Sequence, residues 1–480
     1  MRYIDLGVIL FYLAGVTWFG ARFRKGQQTL KDYFLGGQEA PWWAISLSIV
    51  SAETSTLTIV GTPALAFGGN YGLLQVVLGY LLARIVICVI LLPQYFRGQL
   101  FTAYELMQRR FGTSVRRVTA FIFLVTRSLA EGVRVFAVAI VVSIILRTGE
   151  EISIMAIVAL TLFYTFEGGM TAVIWTDVVQ MGMYVMGAVL SFVLILGKIQ
   201  GGWGHVMEVA QAAHKLQVFD FSFSLTKPYT FLGGIIGGCF LTTASHGTDQ
   251  LVVQRLLSAK TLSQSRTALM ASWVVVFFQF ALFLSIGTLL YVYYQDAHLA
   301  APKPADRLYP AFIWDELPTG LAGLAMAAIL AAAMANLSAA LNSLASTSIV
   351  DFVRPLFPKL GDVKYLQLAR LTTIFWAIVL VVIGLVASHL GGSVLELGLS
   401  IASVTLGLLL GVFLLGCLTT RAGEPAAVCG VLAGFSAMLY VKFFTPIAFT
   451  WWVAIGSSVT FAIGWLCSFI PVAERKIKHV

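Results

Sequence analysis

The sequence has little charge and few cysteines. Asp, Glu, Lys and Arg make up 11% of its 480 residues, whereas a soluble globular protein has about 25%. The five cysteines lie in or beside apolar stretches and show neither metal-site nor disulfide spacing. The low charge excludes a soluble globular domain, and we expect the cysteines to be buried structural thiols.

Catalytic signatures are missing as well. The motifs HExxH and GxSxG do not occur, and His246 is the one histidine well inside a predicted membrane span. A membrane enzyme would need His, Asp or Glu at catalytic or metal-binding spacing within its spans. No predicted loop is long enough for a soluble domain of typical size. We therefore expect neither enzymatic activity nor a cofactor.

Long apolar stretches dominate instead. Hydrophobic residues make up 59% of the chain, and the mean hydropathy is +0.89. The stretches run for about 17 to 30 residues, enough to cross a hydrocarbon core about 30 Å thick. They predict one all-α transmembrane domain over residues 1–480 with about 13 helices. The predicted spans are residues 3–21, 42–67, 71–96, 118–146, 152–165, 171–197, 231–250, 268–294, 320–346, 366–389, 394–419, 426–444 and 449–470.

The basic residues indicate how the chain crosses the membrane. If the N-terminus is outside, 19 Lys and Arg residues of the predicted loops and ends are cytoplasmic and eight are on the opposite side. Positive loops stay cytoplasmic, so we predict a multi-pass protein of the cell (inner) membrane with its N-terminus outside and its C-terminus cytoplasmic. The net charge of +9 is then a topology signal and a match to anionic lipid, not a nucleic-acid-binding surface.

The second predicted span is unusual in its middle. Residues 45–67, ISLSIVSAETSTLTIVGTPALAF, hold hydroxyl groups and a carboxylate where lipid favours Leu. Unpaired polar groups at membrane depth cost several kcal/mol each, so this centre must face protein or a wet cavity. We interpret the span as a discontinuous helix that lines a transport site. The alternative is an ordinary packed span whose small residues let helices approach closely.

A second unusual span follows five helices later. Residues 231–250, FLGGIIGGCFLTTASHGTDQ, cluster glycines and end in polar side chains. Two interrupted spans in corresponding positions are typical of an inverted-repeat transporter with its site at the membrane midplane. The predicted divisions are a leading helix and loop (1–41), two inverted repeats (42–197 and 231–419) and two C-terminal helices (420–480).

Polar residues in other spans are open to two interpretations. Arg127, Glu131 and Arg134 share one helical face and form either a neutralised internal cluster or a surface that faces solute. Gln75 is either a residue that holds helices together or a ligand contact. The isolated carboxylate of Glu396 receives no role, and we expect it to pair or to reach the membrane interface.

Five motifs are more specific. They are KDYFLGG (31–37), YELMQRRFG (104–112), GGMTAVIWTDVVQ (168–180), GTDQLVVQRLLSAK (247–260) and LNSLASTSIVDFVRP (341–355). In this order they resemble the sodium:solute symporters, a family that includes sodium/glucose, proline, iodide and sialic acid transporters. The resemblance covers nearly the whole chain. It implies secondary active transport by alternating access on a leucine-transporter-type 5+5 inverted repeat, whose first and sixth core helices are discontinuous.

The resemblance also implies where cations bind. The positions carried over for one sodium ion are the backbone carbonyls of Leu47, Val50 and Ala332 and the side chains of Ala335 and Asn336, which replace two hydroxyl residues. A second position, for sodium or a proton, falls on Asp177 and Ser338. We expect Na+ to be the coupling ion and its effect to depend on Asp177 together with Asn336. Proton-coupled or uncoupled transport on the same fold is the alternative.

For the solute, the resemblance implies a cavity lined by both interrupted helices and their neighbours. The residues carried over are Ser51, Glu53, Ser55, Thr58, Gln75, Arg127, Ser245, His246 and Gln279. The aromatic inner gate of the sugar carriers is missing, and Arg127 lies close to the position of the arginine that binds carboxylate in sialic acid carriers. The expected solute is a sugar, a sugar acid or another organic anion in contact with Gln75 and Arg127. The expected partners are this solute, Na+ or H+ and membrane lipid, without nucleic acid, and a monomer is compatible with the sequence.

Overall fold

The structure is a computed structural model that describes residues 2–21, 38–97, 103–164, 169–353, 356–357, 359, 362–390 and 393–470. Within these residues every regular element is helical, which confirms the predicted all-α architecture. The α-helices are α1 (Tyr3–Ala21), α2 (Trp42–Glu53), α3 (Thr56–Gly68), α4 (Leu73–Val86), α5 (Leu92–Arg97), α6 (Ala103–Phe111), α7 (Thr113–Leu146), α8 (Glu150–Tyr164), α9 (Gly169–Lys198), α10 (Gly202–Ala212), α11 (Phe231–Gly247), α12 (Gln250–Leu257), α13 (Leu262–Asp296), α14 (Leu308–Glu316), α15 (Leu321–Thr347), α16 (Asp362–His389), α17 (Val394–Leu418), α18 (Glu424–Phe444) and α19 (Phe449–Cys467). Two π-helical turns, Ile87–Leu91 and Ser348–Val353, and one 3-10 helix, Ala305–Arg307, complete the described elements. The motif KDYFLGG and the basic loop that contains it lie outside the described residues.

The helices are long and apolar enough for a membrane protein. Among the described residues, nine helices have the length and composition to cross a membrane by themselves, and α2 with α3 forms a bent tenth span. Three further predicted spans coincide with α1, α8 and α11, in which the apolar stretch is shorter. The chain therefore has the repeated apolar helices that its composition predicts.

The predicted interruption of the second span is confirmed. α2 and α3 are bent by 64° at Thr54 and Ser55, and both residues have extended backbone angles. Hydroxyl side chains compete for backbone hydrogen bonds and weaken a helix at such a point. The Thr54 N–H still donates to Val50 O at 2.8 Å, and the Ser55 carbonyl accepts from Thr58 N at 2.9 Å. Each half is thus a finished helix, and Thr54 and Ser55 between them are buried.

The chain also leaves the helix in the seventh predicted span. α11 ends at Gly247, and α12 begins at Gln250. The Asp249 carboxylate caps α12, since its Oδ1 accepts from Leu251 N at 2.8 Å. The Tyr95 hydroxyl donates to Gly247 O at 2.6 Å and so satisfies a carbonyl that the helix end leaves free.

α4 and α11 pack backbone against backbone at Gly79, Gly234 and Gly238. A Cβ added at Gly238 would lie 2.1 Å from Val76 O, and one added at Gly79 would lie 2.6 Å from Ile235 O. Neither distance is possible for a real Cβ atom, so the crossing requires glycine. Small residues at such crossings let membrane helices approach closely.

Gly238→Ala is expected to destabilise the protein, because the two helices must move apart to admit the methyl group. Overpacking of this kind typically costs about 1–3 kcal/mol, and the midpoint of thermal unfolding in detergent should fall. Gly182→Ala on α9 is the matched control, since nothing lies within 4 Å of a Cβ added there. An unchanged midpoint for Gly238→Ala would contradict the close crossing.

The C-terminal ends of α3 and α13 lie at the same end of the bundle, which we call the N-terminal face. Residues 213–230 form a long connecting segment there. Buried Lys215 donates to Phe67 O at 2.7 Å, and a cation at the C-terminal end of α3 is favourable. Burial lowers the pKa of Lys215. The Tyr229 hydroxyl donates to Glu396 Oε1 at 2.7 Å, so Glu396 pairs, as the sequence analysis expected. The segment is therefore attached to both α3 and α17.

The expectation that all five cysteines are buried is right for Cys88 alone; Cys239, Cys417 and Cys467 are partly exposed. Cys88 is buried, whereas Cys429 on α18 is exposed. Its Sγ lies 3.1 Å from Cys467 Sγ on α19. α18 is apolar around most of its circumference, so the sequence does not distinguish its packed side from its outer side.

Candidate functional site

A cavity lies beside the break between α2 and α3. The space between its lining atoms, open solvent included, is about 300 Å³. Its polar lining consists of Ser55, Thr56, Glu131, Arg134 and Asn336, and the rest is aliphatic. Ser55 is a predicted solute contact and Asn336 a predicted cation contact. The structure therefore brings one residue from each predicted site to the same cavity.

The N-terminal end of α3 forms one wall of this cavity. Ser55 is the N-cap residue and makes no side-chain capping hydrogen bond, and Thr56 is the first residue of the helix. A helix N-terminus carries unpaired N–H groups and a partial positive charge. It is therefore suited to binding an anion.

Glu131 and Arg134 on α7 also line the cavity, and Arg127 belongs to the same charged cluster. Glu131 Oε1 accepts from both guanidinium groups, at 2.9 Å from Arg127 Nη2 and in a shorter contact with Arg134 Nη1. Arg127 also lies 3.7 Å from Asp249 Oδ2. The Arg127 side chain is 9% exposed and that of Arg134 is 30% exposed. Arg127 is thus enclosed by carboxylates, whereas Arg134 is more exposed and lines the cavity.

A second cluster, which we call the break triad, consists of Glu53, Arg84 and His246. Glu53 Oε2 lies 2.8 Å from Arg84 Nη2 and 3.2 Å from His246 Nε2. Arg84 is fully buried and also donates to Ser272 Oγ at 3.1 Å and to Tyr80 O at 3.3 Å. The triad joins the C-terminal ends of α2 and α11, the two interrupted helices. Both Glu53 and His246 are predicted solute contacts, and the structure pairs them with each other.

Gln279 reaches the same break from α13. Its Nε2 donates to Thr54 Oγ1 at 2.7 Å, and the hydroxyl of Tyr184 on α9 lies beside both side chains. Gln279 and Tyr184 are each 4% exposed. These side chains keep the extended backbone at Thr54 in place.

Asp177 lies in a third cluster with Ser48 and Arg255. The Ser48 hydroxyl donates to Asp177 Oδ2 at 2.5 Å, and Arg255 Nη2 donates to the same oxygen at 2.9 Å. Arg255 falls in the predicted cytoplasmic loop between the spans 231–250 and 268–294, but the structure buries it to 5% exposure on α12. The reason is that α12 follows a helix break and packs back into the protein. A cation that binds at Asp177 must therefore compete with a guanidinium.

Gln75 is surrounded by backbone rather than by the cavity. It is fully buried; its Nε2 donates to Tyr229 O at 3.1 Å and to Gly72 O at 3.2 Å, and its Oε1 accepts from Asp220 N at 3.0 Å. Its amide thus holds the connecting segment 213–230. In this conformation the structure favours the first of the two interpretations of Gln75.

The other predicted ligands lie on the same helices. Ser51 is buried beside Asp177, Thr58 is buried on α3, and Ser245 contacts His246. Leu47 and Val50 are on α2, and Ser338 is 9% exposed on α15. Ala332 and Ala335 belong to the backbone of α15, and their side chains lie outside the described residues. Asp177 and Asn336 share no hydrogen bond in the described part of the chain.

Sequence reasoning missed Arg84 and Arg255 as site residues. Both are arginines of apolar or half-apolar helices, and each neutralises a carboxylate that the sequence analysis had singled out. A count of intramembrane carboxylates against intramembrane cations would have found them, because buried charges require partners.

Comparison with known proteins gives one family. The profile of "SSF: Sodium:solute symporter family" matches residues 33–434. Sodium-coupled monocarboxylate transporter 1 of Xenopus laevis is 28% identical, over 95% of this chain and 72% of that protein. The human sodium/iodide cotransporter is also 28% identical, over 95% of this chain and 70% of that protein.

Solved structures agree with these relatives. The substrate-bound, outward-open state of a Na+-coupled sialic acid symporter has a TM-score of 0.84 and 27% identity, and the match covers 98% of both chains. The nucleobase-cation-symport-1 transporter Mhp1 in a closed conformation has a TM-score of 0.56 and 12% identity, covering 92% of this chain and 96% of that chain. The second likeness extends to the fold alone.

Proposed function

The chain belongs to the sodium:solute symporter family, and from that premise we propose that its cavity at the α2–α3 break binds a small organic anion. Membership makes the protein a multi-pass membrane transporter that couples a small solute to Na+, and not an enzyme. The solute class and the role of each residue are the proposal. The single observation that carries it is that Arg134 and the N-terminal end of α3 line the same cavity.

Arg134 and the N-terminal end of α3 both contribute positive charge to this cavity, and the Glu131 carboxylate, which pairs with Arg134, contributes negative charge. A guanidinium binds carboxylate in a bidentate, charge-assisted manner, and a helix N-terminus binds anions through its N–H groups. The relatives named above are transporters of monocarboxylates, iodide and sialic acid, and all of these solutes are anions. Small carboxylates and sugar acids are therefore the first solutes to test.

The proposed architecture has about 13 transmembrane helices, with about ten of them in a leucine-transporter-type 5+5 inverted repeat. Its support is the pair of interrupted helices, α2–α3 and α11–α12, at corresponding positions of residues 42–197 and 231–419. Solute would reach the cavity by alternating access, with the N-terminus outside and the C-terminus cytoplasmic, as the basic loops indicate. The proposal includes a monomer in lipid that does not bind nucleic acid.

Two positions are proposed for the coupling cation. One is formed by the carbonyls of Leu47, Val50 and Ala332 with the amide oxygen of Asn336. The other is formed by Asp177 and Ser338. Hard cations such as Na+ prefer oxygen ligands, and interrupted helices supply carbonyls for them. Asn336 lines the cavity, so the first position would place cation and anion side by side.

Asp177→Asn is expected to abolish sodium-stimulated uptake while solute binding remains measurable, because the neutral amide no longer attracts a cation. Uptake of pyruvate into proteoliposomes as a function of Na+ concentration measures this loss. Asp315→Asn, at an exposed carboxylate of the N-terminal face, is the matched control. Asn336→Ser restores a family hydroxyl and should strengthen the sodium dependence. If Asp177→Asn keeps the parent's response to Na+, the coupling position lies elsewhere.

The test of the proposed function is an uptake panel. Purified protein in proteoliposomes receives an inward Na+ gradient and one of acetate, pyruvate, lactate, N-acetylneuraminate, iodide, glucose or galactose. Accumulation of at least one carboxylate against its gradient is the expected result. Uptake of neutral sugars alone would contradict the anion site. The cavity assignment would be contradicted if no solute showed Na+-driven uptake and if Arg134→Gln bound these solutes as the parent does.

A further inference from the structure

The break triad contains a titratable side chain that neither the anion cavity nor the proposed sodium positions use. His246 is 3% exposed. Its Nε2 lies 3.2 Å from Glu53 Oε2, and its Nδ1 lies 2.9 Å from Ser245 Oγ. Both ring nitrogens are therefore hydrogen-bonded inside the protein, and one of them faces a carboxylate.

The two helix ends around His246 favour positive charge. Glu53 is the last residue of α2, and His246 is the last but one of α11. Helix C-terminal ends carry partial negative charge, and interrupted helices of transporters use such ends to bind Na+ or H+. The imidazole thus faces two helix C-termini and a carboxylate. Within the described residues, Arg84 is the one permanent cation that pairs with this carboxylate.

Of the remaining ionisable groups on the elements packed against α11, Tyr80 lies near Glu53 and Arg84, and the others have different partners or positions. Tyr80 lies one helical turn from Arg84 on α4, and Cys88 lies on the π-helical turn after α4. Beyond the break, Asp249 faces Arg127 and Arg255 pairs with Asp177. Glu396 of α17 bonds to Tyr229 at the opposite end of α11, and α19 contains no Asp, Glu, Lys, Arg or His. None of these groups supplies a second cation to Glu53.

We propose that His246 binds a proton during the transport cycle and that the protein carries this proton across the membrane together with Na+ and its anion. The inference rests on the proposed symport through the helix breaks. The proton is taken from water on the side to which the site is open and adds to Nδ1, which then donates to Ser245 Oγ, while Nε2–H donates to Glu53 Oε2 in a hydrogen bond that the positive charge of the ring strengthens. When α2 and α11 separate toward the other side, this hydrogen bond breaks and the proton passes to water there. The step needs no further reactant.

The first test reads the protonation of His246 without any solute. The chain has six histidines, and the full-length protein in nanodiscs is labelled with 15N-histidine, so that the signal missing from His246→Gln identifies the ring. Between about pH 8 and pH 5, the range in which histidine changes charge, this signal should change from the neutral to the imidazolium pattern. A ring that stays in one state over the whole range would overturn the proposal.

The second test measures proton movement. Proteoliposomes that contain the pH-sensitive dye pyranine, clamped electrically with K+ and valinomycin, receive pyruvate under a Na+ gradient. The parent is expected to acidify the lumen beyond protein-free liposomes, and His246→Gln and Glu53→Gln to lose this excess. His205→Gln, at a partly exposed histidine paired with Asp296, is the matched control and should acidify like the parent.

The outcomes separate this inference from the proposed function. Parent-like acidification by His246→Gln would overturn the proton site, whatever the rate of pyruvate uptake. If the parent takes up no pyruvate or other anion of the panel, the proposed function is contradicted, and the titration of His246 then decides on the proton site by itself.

Discussion

Uptake of organic anions should fall about 10- to 150-fold in Arg134→Gln, because a hydrogen bond to a charged group contributes about 1.5–3 kcal/mol. The fold should be little affected, since Glu131 keeps Arg127 as a partner at 2.9 Å. The loss is measured from the dependence of uptake on the concentration of pyruvate or N-acetylneuraminate. Arg134→Lys keeps the charge but not the bidentate geometry, so its uptake should lie between that of the parent and that of Arg134→Gln.

Two variants on the same helix control this result. Arg117 of α7 is exposed, and Arg117→Gln should transport like the parent. Arg127→Gln removes an enclosed ion-pair partner. Its main effect should be a lower midpoint of thermal unfolding, with little change in the affinity for the anion. If Arg127→Gln instead loses anion binding with its fold intact while Arg134→Gln does not, the solute contact is Arg127, as the sequence resemblance implies.

Arg84→Met should be the most destabilising of these substitutions. Removal of one partner of a buried ion pair typically costs about 3–5 kcal/mol, because the other charge is left uncompensated. Here the charge left is Glu53, whose only other ion-pair partner in the described residues is His246. Thermal unfolding of the purified protein in detergent measures the effect, and a loss of this size would remove much of a typical stability margin.

A double variant separates charge from packing. Glu53→Gln in the Arg84→Met background removes the uncompensated carboxylate and should recover a large part of the lost stability. Arg97→Met, at an exposed arginine of α5, is the control for the loss of a surface charge. A midpoint for Arg84→Met equal to that of the parent would show that Glu53 is not held as a buried ion in this protein.

The sequence predicted the all-α membrane architecture and the break at Thr54 and Ser55 because both follow from local chemistry. Apolar length determines which segments span a membrane, and hydroxyl side chains in such a segment compete with its helical hydrogen bonds. The interruption after Gly247 has a similar local origin in the run of Gly, Thr and Asp.

Partners distant in the sequence were not predictable in this way. Gln75 accepts a hydrogen bond from Asp220 N, 145 residues away. No local sequence pattern predicts that a loop covers Gln75. Arg255 was assigned to a loop because counting basic residues assumes that each span ends at the membrane surface. The same limit explains Arg134, since helical spacing places Arg127 and Arg134 on one face but does not say which of them reaches a cavity.

The glycine contacts between α4 and α11 restrict how the protein can change shape. With backbone against backbone at Gly79, Gly234 and Gly238, there is no layer of side chains in which the two helices can shear past each other. The two helices are therefore expected to move as one body. Gln75 lies at this crossing, since a Cβ added at Gly234 would be 2.8 Å from its Cβ, and its hydrogen bonds hold the connecting segment. His246 is about 18 Å farther along α11, given a rise of 1.5 Å per residue. A displacement of the connecting segment would therefore move the break triad together with both helices.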